Sequence, residues 1–179
     1  MIASLVLAAG LGTRLRPITL ECPKPLLPVG HRTLLAHALA LLRMHGITNI
    51  TVNTHHLAEQ VHRFLQNGVD NAPPMRISHE SDQLLGTGGA LVFAGLTHAP
   101  LLVFNSDVIT DIDLGRVIQL HQQRKAHATM VLCATDHSEA RPPAVHVDTM
   151  GRVQRVRQQG NMNATECTPY AFTGVHILE

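Results

Sequence analysis

The chain has 179 residues, 45% of them apolar and 15% charged, with a formal net charge of +1. That length suits one sizeable domain, and the composition excludes a disordered chain. The near-neutral balance gives no global surface for nucleic acid or membrane, and no apolar run approaches the roughly 20 residues that span a bilayer. Any basic function must therefore be local.

Cys22, Cys133 and Cys167 are odd in number and lack paired spacing, which indicates neither a disulfide framework nor a zinc knuckle. The N-terminus has no basic residues before its short apolar run, unlike a signal peptide, so a reducing cytoplasm is the expected compartment. The chain has 13 histidines, His55-His56 among them, but no HExxH or Cys/His ligand spacing, and no metal is assigned to them.

In chain order, Ile2–Leu7 reads as a buried strand that ends at a glycine loop. Leu34–His45 has helical spacing, with Gly46 placed to close it. Asn49–Asn53 reads as a second strand, followed by a helix around Leu57–Leu65 that Asn67-Gly68 ends. Met75–His79 is a third strand, and ESDQLLGTGGAL is a second glycine-rich turn running into a short helix. Pro100–Phe104 is the clearest buried strand, stopping at Asn105-Ser106-Asp107. Leu114–Gln123 then reads as a helix capped by Asp113, and Ala128–Ala134 as a strand. Ala144–Val147 and Arg152–Val156 form a hairpin around Thr149-Met150-Gly151, and Ala171–Leu178 is a last strand.

This alternation predicts an α/β fold with a mixed sheet, mostly parallel in its first half with a hairpin added later. There is no repeat and no linker. Glu179 follows the last strand without a closing helix, so we expect one domain over residues 1–179 that lacks the C-terminal part of its full fold.

Three loops with unusual composition follow candidate strands: Ala8–Pro28, Glu80–Gly89 and Asn105–Asp111. Ligands of open α/β sheets sit at the carboxyl ends of the strands, so parallel neighbours would bring these loops to one cleft. Gly10 and Gly12 allow close backbone approach, and successive N–H groups form a concavity for anions. Arg14 can add a bidentate fork to phosphate and Lys24 a compact charge, while Arg16 reads as a solvated residue. Pro17, Pro23, Pro25 and Pro28 stiffen the loop that carries them. The pattern is neither a complete dinucleotide fingerprint nor a Walker A loop.

LAAGLGTRLRPIT followed by PKPLLPVG resembles the signature of the sugar-1-phosphate nucleotidylyltransferases, the NDP-sugar pyrophosphorylases. The resemblance continues through Leu85-Gly86-Thr87-Gly88-Gly89-Ala90 and Asn105-Ser106-Asp107, covering almost the entire chain. It implies a Rossmann-like three-layer αβα fold. It also implies transfer of a nucleotidyl group from an NTP, GTP or UTP, to a sugar 1-phosphate with release of pyrophosphate. Mannose 1-phosphate guanylyl transfer and N-acetylmuramate 1-phosphate uridylyl transfer are the competing specificities.

By the same resemblance, Ala8, Ala9, Gly10, Leu11, Gly12, Thr13 and Arg14 would wrap the triphosphate, Arg14 neutralising the leaving pyrophosphate. Lys24 would contact the α-phosphate and the sugar phosphate, and Asp107 would hold Mg²⁺. Glu80, Gly86 and Thr87 would face the base or ribose, Glu80 reading otherwise as a solvated carboxylate. Asn163 and Thr173-Gly174 are the sugar-side candidates, because the family's Glu-Lys-Pro type element is replaced here by RVRQQGNMNA. A further metal ligand is expected beyond Glu179. No nucleic-acid or membrane partner is implied, and both a monomer and a homo-oligomer fit. Two other readings stay open: a nucleotide-sugar-binding or regulatory protein without turnover, and a cytidylyltransferase acting on a non-sugar phosphate.

Overall fold

Short apolar runs flanked by amphipathic segments fold here as strands and helices in alternation. The computed structural model describes residues 2–67, 75–98, 100–134, 144–163 and 166–179. It divides into two compact units, one of residues up to 129 together with 176–179, the other of residues 130–175.

The first unit opens with β1 (Ala3–Leu7), whose central Ser4–Val6 are buried. Three single-turn 3₁₀ helices follow, at Thr13–Leu15, Ile18–Leu20 and Lys24–Leu26. Prolines at 17, 23 and 25 set φ for such turns while removing the N–H groups that longer helices need. A small ribbon of β2 (Pro28–Val29) and β3 (Arg32–Thr33) then leads into α1 (Leu34–Met44). The Thr33 side chain caps α1 by accepting from the Ala36 N–H, and Gly46 follows its C-terminus at φ 70°.

The unit continues with β4 (Asn49–Thr54), α2 (Ala58–Gln66), β5 (Arg76–His79), α3 (Gly86–Phe93), β6 (Leu101–Asn105) and α4 (Leu114–Arg124). Asn67 caps α2, and Gly68, the other half of the expected stop, lies outside the described residues. Asp113 caps α4 as expected, accepting from the Arg116 N–H. Strands β6, β1, β4 and β5 lie in that order and pair in parallel. Their core is Leu5, Val6, Ile50, Val52 and Leu102–Phe104, with Leu35, Leu42 and Val61 of the helices also buried. Burial of such side chains stabilises by about 1.5–3 kcal/mol each.

The second unit is built from β7 (Ala128–Ala134), β8 (Val145–Val147), β9 (Val153–Val156), β10 (Gln159–Gly160) and β11 (Thr168–Leu178). β7 begins and β11 ends in the first unit. The predicted hairpin is β8 and β9, antiparallel, with β10 paired to β9 and β11 to β8. Asp148 forms its turn, Oδ1 accepting from the N–H groups of Met150 and Arg152. The pairing is thus mixed as expected, parallel early and antiparallel late. β11 starts three residues before the expected Ala171, because the register against β8 runs from Thr168 to Tyr170 across Pro169.

Candidate active site

Parallel register decides where the loops gather. Leu7 at the end of β1 lies opposite Asn53 of β4 on one side and Asn105 of β6 on the other. Three strands therefore stop at one level, and the chain leaving each turns outward at the same edge. A cleft of about 240 Å³ opens there within the first unit.

Each flanking loop contributes to it. After β1 come Ala8, Ala9 and Gly10, the alanines buried and Gly10 exposed. A side chain on Gly10 would meet no protein atom within 4 Å, so the space beside its backbone is open. Gly86 and Thr87, at the start of α3, face the cleft from the second glycine-rich loop. Asn105, Ser106 and Asp107 close it after β6.

Lys24 reaches the cleft from the third 3₁₀ turn, and its Nζ donates to Asp107 Oδ2. Asp107 is the one acidic residue lining the cleft among the described residues. It does not cap a helix, since the next one begins at Leu114 under Asp113. Among the described residues its Oδ2 is held by the Lys24 ammonium.

Gly12 lies behind this surface and shapes it. Its backbone is left-handed (φ 61°), and its carbonyl accepts from Thr19 Oγ1 at 2.8 Å. A Cβ added to Gly12 would lie 2.8 Å from Thr19 Cγ2 and 3.3 Å from Lys24 Cβ. The loop thus packs onto the residues that bring Lys24 inward. His56 fixes the same segment from α2's approach, donating through Nε2 to the Thr19 carbonyl at 2.6 Å.

The structure brings Ala8, Ala9, Gly10, Lys24, Gly86, Thr87 and Asp107 of the expected site to one surface. Leu11, Thr13 and Arg14 are exposed on the turn beside it and do not line it. Glu80 differs from both readings of it. It is 1% exposed rather than solvated, and its carboxylate is spent on Asn53 Nδ2 and the Leu85 N–H rather than open to a ligand. Asn163 and Gly174 belong to the second unit: Asn163 is exposed, its N–H donating to Asn161 Oδ1, and Gly174 sits within β11 at φ 91°.

Sequence reasoning missed Asn53 as part of this construction, and gave Ser106 and Thr19, which lie in the motifs of the resemblance, no role in it. Asn53 Oδ1 accepts from the Ala8 N–H at 2.7 Å, and Ser106 Oγ donates to the Leu7 carbonyl at 2.7 Å. For Asn53 and Ser106 the available signal was a polar residue at or just past the end of a buried strand, which is costly unless its hydrogen bonds are made.

The sequence profile of the Nucleotidyl transferase family matches residues 3–157. The UTP–glucose-1-phosphate uridylyltransferase of Synechocystis is 33% identical, over 98% of this chain and 48% of its own length. A probable mannose-1-phosphate guanylyltransferase of rice is 30% identical, over 85% of the chain and 44% of its own length. The chain therefore spans about half the length of the curated relatives it matches. Its fold is shared with crystalline HddC of Yersinia pseudotuberculosis complexed with GMP-PN, at a TM-score of 0.81 and 21% identity over 100% of this chain and 77% of that one. With parallel strands opening onto a cleft lined by glycine, a lysine and an aspartate, and a profile match over most of its length, this chain belongs to the nucleotidyl transferase family.

Proposed function

We propose that the cleft binds a nucleoside triphosphate and a sugar 1-phosphate and joins them, releasing pyrophosphate. The observation that carries this reading is the Lys24–Asp107 pair lining a cleft whose walls include Gly10 and Gly86. Two polyanions must meet for the reaction, and their mutual repulsion forms much of the barrier. Lys24 offsets that charge at the α-phosphorus and helps hold the incoming sugar phosphate in line. Its Nζ donates to Asp107 Oδ2, which orients the ammonium toward the cleft before substrate arrives. A phosphate oxygen is already ionised near neutral pH, so the attack needs no Ser-His-Asp machinery.

Backbone of Ala8–Gly10 supports the triphosphate, and Arg14, on the exposed turn just beyond, offsets charge on departing pyrophosphate. Gly86 and Thr87 face the base across the cleft. The donor set fits Mg²⁺, which takes one or two carboxylates and completes its shell with substrate phosphates and water. Asp107 would hold the ion, which when bound supplies charge neutralisation across both phosphates. The relatives' names carry both uridylyl and guanylyl transfer, which supports UTP or GTP as the donor.

The test is pyrophosphate release from each NTP with glucose, mannose or N-acetylmuramate 1-phosphate and Mg²⁺, comparing wild type with Asp107→Ala and Lys24→Ala. Release by wild type that both variants lose is expected. Nucleotide binding by wild type without any release would instead make the chain a binding protein.

A further inference from the structure

Two cleft-facing loops are joined underneath by a buried polar chain. It starts at the Ala8 N–H, which donates to Asn53 Oδ1 at 2.7 Å. Asn53 Nδ2 then donates to Glu80 Oε1 at 2.7 Å, and Glu80 Oε2 accepts from the Leu85 N–H at 2.9 Å. One end is the first residue of the Ala8–Gly10 loop, and the other lies between Leu84 and Gly86, which both line the cleft. Asn53 is 3% exposed and Glu80 1%.

Both side chains are anchored from behind. Asn53 sits in register between Leu7 of β1 and Ser78 of β5. The Glu80 N–H donates to the Thr54 carbonyl at 2.8 Å, and the Glu80 carbonyl accepts from His55 Nδ1 at 2.6 Å. The three bonds are therefore a strut of fixed length between two loops, not a flexible tether. A carboxylate is a costly way to fill a core position, and an apolar side chain would pack there more cheaply. Its particular merit is that both oxygens accept, one from each loop's side of the strut. Glutamine, with a donor nitrogen in place of one acceptor oxygen, satisfies only half of that pattern.

From this we infer that Glu80 is a positioning residue: through Asn53 and the Leu85 N–H it sets the separation of the Ala8–Gly10 and Leu84–Thr87 loops, and with it nucleotide affinity. The inference rests on the reading of the cleft as a nucleotide site.

The polarity of the strut supplies a test. In the exchanged double variant Asn53→Asp/Glu80→Gln, the residue at 53 accepts from both the Ala8 N–H and the amide at 80, whose oxygen accepts from the Leu85 N–H. All three bonds return with the same net charge. Each single variant breaks the pattern: Glu80→Gln opposes two amides, and Asn53→Asp opposes two carboxylates. Two quantities are measured in the full chain: KM for the NTP in pyrophosphate release, and amide hydrogen exchange at Ala8 and Leu85 in the ligand-free protein.

Each single variant is expected to raise KM about tenfold or more, with a smaller change in kcat, and to speed exchange at both amides together. The exchanged variant should return both quantities to within about threefold of wild type. Single variants with unchanged KM overturn the inference, as does an exchanged variant no better than the worse single. Should a single variant fail to fold, a folded exchanged variant with near-wild-type KM supports the strut, and an unfolded or weak one overturns it. If wild type releases no pyrophosphate, the catalytic reading of the cleft fails separately. Exchange at Ala8 and Leu85 then decides the strut: joint recovery in the exchanged variant supports it, and independent behaviour overturns it.

Discussion

Lys24 and Asp107, 83 positions apart in sequence, form an ion pair inside the cleft. Their side chains are 25% and 31% exposed, so water screens the pair and its net contribution to stability is small, about 1 kcal/mol or less. Its placement serves substrate binding more than folding. We expect Lys24→Ala and Asp107→Ala each to lower kcat/KM for pyrophosphate release by about 100-fold or more. Urea midpoints should barely move. A large loss of stability in either variant, with activity per folded molecule retained, would show the pair to be structural instead.

Gly12→Ala should damage the site from behind. The left-handed backbone there costs a side chain roughly 1–2 kcal/mol, before any clash. The added methyl would also press on Thr19 Cγ2 at 2.8 Å and on the Lys24 stem at 3.3 Å. The expected outcome is a lower urea midpoint together with weaker nucleotide binding, measured by isothermal titration at a temperature where the variant is folded. Lowered stability with wild-type affinity would show that the loop does not hold Lys24 in place.

The strands that build the edge of the cleft were legible because burial leaves a local trace. Runs such as Leu101–Phe104 are apolar at every position, as strands covered on both faces must be. Gly10 and Asp107 were legible as candidates because glycine and charge are unexpected just after such strands, and Lys24 because it puts charge on a proline-stiffened loop that follows one. Glu80 was not. Its neighbours in sequence are Ser81 and Asp82, both exposed, so it reads as one more loop carboxylate. Only the parallel register of β4 with β5 reveals that its side chain meets Asn53 across 27 residues. The 3₁₀ turns were hidden for a related reason, since three-residue helices have no periodicity to detect.

Asp113→Ala provides a control for effects on folding alone. The side chain caps α4 by accepting from the Arg116 N–H at 3.0 Å and does not line the cleft. Its loss should cost about 1 kcal/mol, seen as a shift in urea midpoint with no change in the denaturant slope. KM for the nucleotide should stay within about twofold of wild type. A change in KM as large as that of Gly12→Ala would mean that nucleotide affinity simply tracks stability.

Acid should weaken the fold partly through His176. Burial in β11 holds its pKa below the ordinary histidine value of 6.5, because the protonated ring is poorly solvated there. The folded chain therefore stays unprotonated at this site where the unfolded chain takes up a proton. In that window the unfolded state binds more protons, so stability rises with pH. The contribution is fully present above about pH 6.5 and is lost as pH falls toward the folded-state value, below which it no longer changes. Asp148 acts lower on the scale. The Arg152 N–H, foremost, holds its carboxyl below the ordinary 3.8, so the support it gives the β8–β9 turn is lost only as pH falls below about 4. The two are separable by thermal melts between pH 8 and 3. His176→Gln should lose less stability than wild type between pH 7 and 5, and Asp148→Asn less below pH 4. Parallel curves for wild type and His176→Gln above pH 5 would show that burial there does not discriminate against the charged ring.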